Sequence, residues 1–176
     1  WEELNFYTKP NKLFEAKDFG GAHNRTNSHA IALDGLYSEK YRSISNILTV
    51  NRKLFNPDIM KSFAKVDDCC RIATECNYDV TKVRYYHDKE YYKPHTDTYF
   101  QFLAFSYFYR EPKKFSGGEL YFSQYDYNYS CENNSMIIFP GWVQHGVTEV
   151  SIDKSDYYEG YGRYCISSFF GCEEKK

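Results

Sequence analysis

Two histidines and one aspartate have the residue types of a mononuclear metal site. His95 and Asp97 are separated by a single residue, and in an extended segment residues two apart project from the same face. His145 occurs much later in the chain, in a stretch that a barrel could bring beside the first two ligands. Two imidazoles and one carboxylate leave three positions of an octahedral iron open, as binding of a bidentate cosubstrate and then dioxygen requires. We therefore expect these three side chains to hold iron(II).

Arg163 is a cation that begins an otherwise apolar run ending at Phe170. A guanidinium buried in such a strand needs an anionic partner. Its planar fork matches a carboxylate, and the far carboxylate of 2-oxoglutarate would be a suitable partner. Because alternate residues of a strand share a face, Ser167 could add a hydroxyl on the same side. The sequence thus predicts a position for an anion close to the metal.

These residues lie in a part of the chain whose composition favours β-structure. Of the 176 residues, 20% are aromatic, mainly 19 Tyr and 14 Phe, and these types suit half-buried sheet surfaces. Six short runs separated by turn residues predict an antiparallel sandwich or barrel. The runs are Val83 to Tyr86, Phe100 to Tyr109, Glu119 to Phe122, Met136 to Phe139, Gly146 to Ile152 and Arg163 to Phe170. We expect loops at residues 125–129 and 153–162.

The first half of the chain predicts helices that support the sheet. Apolar residues from Tyr37 to Phe55 are spaced for one face of a helix. A second helix has Asn56 as N-cap and Pro57 at its first position, and its apolar residues recur at steps of four and three as far as Ala73. An irregular or edge-strand entry is expected over 1–27. Helices followed by strands indicate an α+β class, mainly β, in a single domain.

An ordered set of motifs runs through the second half of the chain. It consists of Tyr86, Tyr92, His95-Thr96-Asp97, Ser116-Gly117-Gly118-Glu119-Leu120, Phe139-Pro140, His145 and Gly162-Arg163-Tyr164. This order resembles the 2-oxoglutarate-dependent dioxygenases of the prolyl 4-hydroxylase type. The resemblance implies a double-stranded β-helix, of the jelly-roll or cupin kind, with N-terminal buttressing helices. It implies one catalytic domain over 1–176, with the support helices in 1–80 and the core in 81–172.

The resemblance also assigns roles to individual residues. His95, Asp97 and His145 would bind iron(II), and Arg163 would anchor the C5 carboxylate of 2-oxoglutarate. Dioxygen would be the second cosubstrate and ascorbate the reductant, with succinate and CO2 released as a C–H bond is hydroxylated. Arg163 stands further after His145 than is usual in the family, which requires an inserted loop at 153–162. Collagen-type enzymes usually have Lys at this position, so the cation does not fix the substrate.

Aromatic residues complete the site that the resemblance implies. Tyr86, or its neighbour Tyr85, would line the cosubstrate pocket, and Tyr107 would donate a hydrogen bond to the same carboxylate as the arginine. Trp142 would either form a wall of the iron site or pack in the core. With 19 Tyr in the chain, an ordinary core or rim position is the competing explanation for each tyrosine.

Composition and charge limit the partners. A net charge of -2 and a pI near 6.2 provide no basic field, so we expect no nucleic-acid partner. No apolar run approaches the roughly 20 residues that span a bilayer, which predicts a soluble protein without a membrane partner. The localisation stays open, with the cytoplasm favoured. The six cysteines match no zinc pattern and are expected to be free, buried thiols. His23 and His29 are expected in solvated loops, and His87 at a rim.

Several functions remain open at this point. A non-catalytic β-barrel could use the same three ligands to hold a metal, although it would have no use for Arg163. A nucleic-acid demethylase usually has a second Arg where this chain has Phe169, and a halogenase lacks the carboxylate that Asp97 provides. The favoured substrate is a proline-containing peptide or protein. A free amino acid, a lysyl residue or a small metabolite would use the same core, and the oligomeric state is left open.

Overall fold

The computed structural model describes residues 1–10, 12, 14–15 and 25–173 of the chain. The strands are β1 (Phe14–Glu15), β2 (His29–Ala32), β3 (Tyr78–Tyr86), β4 (Tyr92–His95), β5 (Phe102–Phe108), β6 (Phe115–Gly117), β7 (Leu120–Phe122), β8 (Tyr127–Tyr129), β9 (Ser135–Pro140), β10 (His145–Val147), β11 (Val150–Ile152) and β12 (Arg163–Gly171). The α-helices are α1 (Glu2–Tyr7), α2 (Asn46–Arg52) and α3 (Pro57–Phe63). Short 3-10 helices occupy Leu33–Gly35, Glu39–Ile44, Lys53–Phe55, Asp68–Glu75 and Lys154–Asp156. No helix within these described ranges is long and apolar enough to cross a membrane.

Two antiparallel sheets enclose the core. The major sheet has the order β1-β2-β3-β12-β5-β9, and the minor sheet has the order β4-β10-β7-β8. β6 and β11 form a separate pair. Aromatic side chains from both sheets meet between them, as where the ring centroids of Phe122 and Phe139 lie 5.0 Å apart. The alternation of strands between two facing sheets is that of a double-stranded β-helix, so the expected mainly-β fold is confirmed.

The register of β12 decides which side chains enter the space between the sheets. On β3, Tyr86 lies opposite Arg163 and Lys82 lies opposite Ser167. On β5, Phe105 lies opposite Ser167. Because successive side chains of a strand alternate between faces, every second residue of β3, β5 and β12 points inward. The inner face of the major sheet therefore carries polar and charged groups among its aromatic residues.

The outer face of the major sheet is covered by the helices. Tyr85 and Tyr164 lie on this face and pack in one apolar cluster with Tyr7 of α1 and Leu48 of α2. A second cluster joins Phe170 to the helical segments that include α3. Each fully buried side chain of this size contributes roughly 1.5–3 kcal/mol. The predicted role of the N-terminal helices, which is to support the sheet, agrees with this packing.

The single helix expected from Tyr37 to Phe55 is wrong, because α2 is flanked by two 3-10 helices in this segment. Arg42 is only 8% exposed and its Nη2 donates to Asp79 Oδ2 of β3 at 2.5 Å, whereas Ile44 is 68% exposed. A 3-10 helix has about 3.0 residues per turn rather than 3.6, so the apolar stripe rotates away from the sheet. The segment is held to β3 by the ion pair of Arg42 with Asp79, and not by the apolar helix face that the spacing of apolar residues suggested.

The start of the next helix is as expected, but its end is not. Asn56 Oδ1 accepts a hydrogen bond from the backbone N–H of Asp58 at 2.9 Å, and Pro57 is the first residue of α3. The helix ends at Phe63, and Val66 is 72% exposed instead of packing on the sheet. The chain then turns into the 3-10 helix Asp68–Glu75, so the periodic spacing continues across two separate elements.

Smaller departures occur elsewhere. The entry segment contains the edge strand β1, as expected, but also α1; the expected loop 125–129 includes β8, and the run from Gly146 to Ile152 is divided into β10 and β11. The six cysteines are free as expected, but Cys69 and Cys172 are exposed. None of these differences alters the position of the expected site residues.

Candidate metal centre

The pairing of β4 with β10 brings the two expected histidine ligands together. His95 and His145 lie directly opposite each other in this antiparallel pair. Asp97 follows β4, and its backbone N–H donates to the carbonyl of Gly141 at 2.8 Å. Asp97 Oδ2 lies 3.7 Å from His95 Nε2 and 3.5 Å from His145 Nε2. The three ligand atoms lie within 4.8 Å of one another, so a single metal ion could contact all of them.

The hydrogen bonds of the two rings fit a bound metal. Nδ1 of His95 donates to the carbonyl of Lys93 at 2.9 Å, and Nδ1 of His145 donates to that of Val143 at 2.9 Å. Each bond places the proton on Nδ1 and leaves the lone pair of Nε2 directed into the site. Nε2 of His145 is buried and has no hydrogen-bond partner in the described part of the chain. A divalent cation would satisfy this lone pair.

The charges of the site also suit a metal. Burial, with a smaller contribution from the neighbouring His145 ring, lowers the pKa of His95 to about 4. Burial alone would raise the pKa of Asp97, but the close approach of the His145 ring, with smaller contributions from His95 and Arg84, outweighs it and lowers that pKa. At neutral pH the site therefore offers a neutral imidazole and a carboxylate, the forms that bind metals.

Arg163 lies in the same cavity, and no carboxylate of the described residues pairs with it. Its guanidinium carbon lies 4.4 Å from the ring centroid of Tyr86 and 5.1 Å from that of Tyr107, and the residue is 2% exposed. Nε donates to the carbonyl of Gly118 at 2.6 Å, while Nη1 has no hydrogen-bond partner among the described residues. A buried guanidinium without a counter-ion is costly. The arrangement therefore fits an anion bound at Nη1.

A cavity of about 90 Å³ joins Arg163 to the three possible metal ligands. Tyr86 and Ser167 line it. Tyr85 does not, because it points to the outer face, where its ring centroid lies 4.9 Å from that of Tyr164. The hydroxyl of Tyr107 is buried beside the guanidinium and has no hydrogen-bond partner within the described ranges. Of the two neighbouring tyrosines that the sequence left open, Tyr86 is the one that faces the cavity.

Lys82 and Arg84 also line the cavity, and they were not expected from the sequence. Arg84 lies within the expected run, and because β3 begins at Tyr78 rather than at Val83, Lys82 belongs to the strand as well; both share the inward face of Tyr86. The period-two alternation of 82, 84 and 86 was the signal that could have identified them. Lys82 was missed because it precedes the expected run, and Arg84 was not recognised as facing inward because a buried strand face is expected to carry apolar residues.

A second cluster involves histidines for which no site was expected. Nδ1 of His87 lies 2.8 Å from Oε1 of Glu90, and Nδ1 of His29 contacts the same oxygen. Burial would raise the pKa of Glu90, but its bonds to the two histidines outweigh this and lower the pKa. These three residues could hold a metal, yet their mutual hydrogen bonds already satisfy the carboxylate. We interpret the cluster as a link between β2 and the loop before β4; His23 lies outside the described residues.

Comparisons with known proteins agree with this geometry. The family model of the 2OG-Fe(II) oxygenase superfamily matches residues 81–171. A prolyl-4-hydroxylase from Pseudomonas putida superposes with a TM-score of 0.57 at 14% identity, over 98% of this chain and 83% of its own. A viral collagen prolyl hydroxylase from Paramecium bursaria Chlorella virus-1, solved as a 2OG complex, gives 0.55 at 13% identity, over 96% and 88%. No curated protein matches the chain.

A third solved structure, an oxidoreductase of the 2OG-Fe(II) oxygenase family from Burkholderia pseudomallei, gives a TM-score of 0.51 at 12% identity, over 73% of this chain and 59% of its own. At such identities the structural likeness shows a shared fold and nothing about substrates. The family model is stronger evidence, because the matched residues make up more than half of the chain and include the three possible metal ligands and Arg163. The chain therefore belongs to the 2OG-Fe(II) oxygenase superfamily.

Proposed function

We propose that the protein couples the oxidative decarboxylation of 2-oxoglutarate to the hydroxylation of a substrate C–H bond, and that His95, Asp97 and His145 hold its iron(II). The observation that carries this proposal is the presence of two unsatisfied buried groups at one cavity: Nε2 of His145 and Nη1 of Arg163. The first suits a divalent metal and the second a carboxylate, and a 2-oxoglutarate bound to that metal could place its far carboxylate at Arg163. Bound iron(II) would supply the activation of dioxygen.

The residues around Arg163 would orient the cosubstrate. Its guanidinium would hold the C5 carboxylate, and the phenol of Tyr107 would donate to the same group. Burial raises the pKa of Tyr107 well above its usual value, and burial also raises that of Tyr86 despite the opposing charge of Arg163, so both rings stay protonated. Ser167 would contribute its hydroxyl from the wall of the cavity. These donors would fix the cosubstrate relative to the metal ligands and exclude water from it.

Gly118 provides a test of this arrangement. Its φ of +74° lies in the left-handed region that favours glycine, and a Cβ at this position would lie 2.5 Å from Cδ of Arg163. We expect Gly118→Ala to displace the guanidinium and raise the Michaelis constant for 2-oxoglutarate by about ten- to a hundredfold. Gly35→Ala is the control, because a Cβ there meets nothing within 4 Å. Equal Michaelis constants for the two variants would contradict the role of Arg163.

We further propose that the substrate is a prolyl residue of a peptide or protein. Aromatic side chains near the cavity support a surface that could bind an extended chain. Tyr99 is 89% exposed in the turn between Asp97 and Phe100, both of which line the cavity, and Trp142 is 49% exposed. Exposed aromatic rings of this kind hold proline-rich segments in preformed extended conformations. The sequence suggested that Trp142 would form a wall of the iron site or pack in the core. It does neither, because it is half exposed and does not line the cavity.

Peptide-dependent turnover tests the proposed substrate class. With iron(II), 2-oxoglutarate and ascorbate as the expected reductant, proline-containing peptides should increase succinate and CO2 formation above the uncoupled rate. The peptide should gain one oxygen atom by mass spectrometry, whereas matched peptides with alanine in place of proline should not. Strong stimulation by a free amino acid or a metabolite, with none by any peptide, would identify the substrate as a small molecule.

A further inference from the structure

Two cysteines are in contact at one end of the ladder between β3 and β12. Cys76 lies two residues before β3, and Cys172 follows directly on β12. Their Sγ atoms lie 3.9 Å apart, although 96 positions separate the two residues in the sequence. Because thiols so distant in the chain meet only when the two strands are paired, the contact is a property of the folded protein.

Hydrogen bonds fix the backbone beside both thiols. The backbone N–H of Asn77 donates to the carbonyl of Gly171 at 2.9 Å. The side-chain amide of Asn77 donates to the carbonyl of Glu173 at 2.8 Å, and its oxygen accepts from the backbone N–H of Glu173 at 2.9 Å. A neighbour of Cys76 is therefore joined to the residues on both sides of Cys172, which keeps the two sulfurs close.

The register of the two strands suits a covalent link between these cysteines. Tyr78 lies opposite Gly171 in the last strand pair, so one further step places Cys172 opposite Asn77, next to Cys76. Opposite Cα atoms of an antiparallel ladder are about 4.5–5.5 Å apart, and one step along a strand adds about 3.3 Å at right angles, which gives a Cα separation of about 6 Å. Disulfides usually span Cα separations of about 4.4–6.8 Å.

The adjacent thiols of Cys69 and Cys70 are less suited to the same reaction. Their Sγ atoms also lie 3.9 Å apart. A trans peptide holds consecutive Cα atoms about 3.8 Å apart, which is shorter than the separation that a disulfide usually spans. The distance between sulfurs is the same in the two pairs, but only the backbone of Cys76 and Cys172 has the spacing of a disulfide.

The two thiols of the pair differ in how easily an oxidant reaches them. Cys76 is 9% exposed and packs in an apolar cluster with Phe170, whereas Cys172 is exposed. Burial, with a smaller contribution from Cys172, raises the pKa of Cys76 to about 12. The reactive form of cysteine is the thiolate. An oxidant from solution should therefore react first with Cys172 and leave Cys76 to complete the bond.

We propose that Cys76 and Cys172 form a disulfide in the presence of a small disulfide such as glutathione disulfide, and that this bond stabilises the β core. The thiolate of Cys172 attacks one sulfur of glutathione disulfide, whose S–S bond breaks as one glutathione thiolate leaves. Sγ of Cys76 then loses its proton and attacks Sγ of Cys172, which releases the second glutathione. Two cysteine thiols are oxidised by two electrons, and one glutathione disulfide is reduced to two thiols that take up the two protons.

The bond would close a ring that contains the whole β core, because the strands from β3 to β12 lie between the two cysteines in the sequence. A disulfide restricts the unfolded chain, and this effect increases with the length of the closed loop. We therefore expect oxidation to raise the melting temperature by roughly 5–15 °C. The inference does not depend on the proposed function, since Arg163 and Tyr86 lie at the opposite end of the ladder.

Oxidation of the purified protein tests the bond without any measurement of activity. Reduced protein is incubated with excess glutathione disulfide, its remaining thiols are blocked with N-ethylmaleimide, and a tryptic digest is analysed by mass spectrometry. We expect a peptide pair in which Cys76 is joined to Cys172, and fragmentation separates Cys172 from Cys165, which lies in the same tryptic peptide. The oxidised protein should run as a single chain on a non-reducing denaturing gel, and dithiothreitol should reverse the rise in melting temperature.

Serine variants assign the effect to this pair. Cys172→Ser changes an exposed residue, so it should keep the melting temperature of the reduced wild type and show no rise with glutathione disulfide. Cys69→Ser removes another exposed thiol and should respond as the wild type does. The inference is overturned by a glutathione adduct that persists on Cys172, by disulfides formed only between two chains, or by a link between Cys76 and Cys172 that leaves the melting temperature unchanged. An equal rise in the Cys172→Ser protein would overturn it as well.

Discussion

His145→Ala is expected to reduce iron(II) affinity by more than about a hundredfold and to abolish 2-oxoglutarate turnover. Even residues that only hydrogen-bond to metal ligands typically account for about 10- to 100-fold in affinity, so loss of a ligand should exceed this range. His145 contributes the buried Nε2 that has no other partner in the described structure. Its replacement leaves one imidazole and one carboxylate, which cannot present the same three-ligand face.

The effect on metal binding can be separated from an effect on folding. Iron(II) added under nitrogen should raise the melting temperature of the wild-type protein and leave that of His145→Ala unchanged, because only binding to the native state stabilises it. His87→Gln is a matched control, since it removes an imidazole from the cluster around Glu90 and not from the possible metal centre. Full iron affinity and full CO2 release in the His145→Ala protein would show that the ligand assignment is incorrect.

The fold could be predicted from the sequence to the extent that local patterns determine it. Apolar runs bounded by turn residues located most of the strands of the barrel, and Asn56 with Pro57 located the start of α3. The lengths of the helices could not be predicted in this way. The contact of Arg42 with Asp79 joins a helical segment to a strand far along the chain, and no local period reveals such a contact.

The residues of the site were also only partly predictable from local patterns in the sequence. The His95 and Asp97 pair follows from the geometry of an extended segment, whereas the position of His145 beside it depended on the order of motifs and on strand pairing. Lys82 lies before the strand run that the sequence indicated, and Arg84 lies within that run but was not expected to face the cavity, because buried strand faces are usually apolar. Charged residues that face the inside of a barrel contradict the apolar pattern expected of a buried strand face. Their burial is evident only when the neighbouring strands are in place.

We expect Arg163→Met to weaken the use of 2-oxoglutarate without lowering the stability of the cosubstrate-free protein. In the variant, 2-oxoglutarate loses its buried charge-assisted partner, which typically costs about 2–5 kcal/mol and corresponds to an increase in the Michaelis constant of roughly 30-fold or more. Iron(II) affinity should change little, because Arg163 is not among the three residues that converge on the possible metal centre. Arg163→Lys should recover only part of the loss, since an ammonium retains the charge without the planar fork.

The cosubstrate-free Arg163→Met protein should be at least as stable as the wild type. Arg163 is 2% exposed, and among the described residues one of its nitrogens is unsatisfied and its neighbours are two tyrosine rings and a backbone carbonyl rather than a counter-ion. Replacing a buried charge of this kind by an apolar side chain of similar length is often neutral or stabilising. At about 100 times its dissociation constant, 2-oxoglutarate should stabilise the wild-type protein by about 2.7 kcal/mol.

Chemical denaturation with and without 2-oxoglutarate measures both effects on the same samples. We expect the cosubstrate to raise the free energy of unfolding of the wild type and to have no effect on that of the Met variant. If Arg163→Met instead lowered the stability of the cosubstrate-free protein strongly while the Michaelis constant for 2-oxoglutarate stayed the same, Arg163 would be a structural residue. The unsatisfied guanidinium would then require another explanation, and the anchor for the cosubstrate would have to be sought among the remaining cations of the cavity, Lys82 and Arg84.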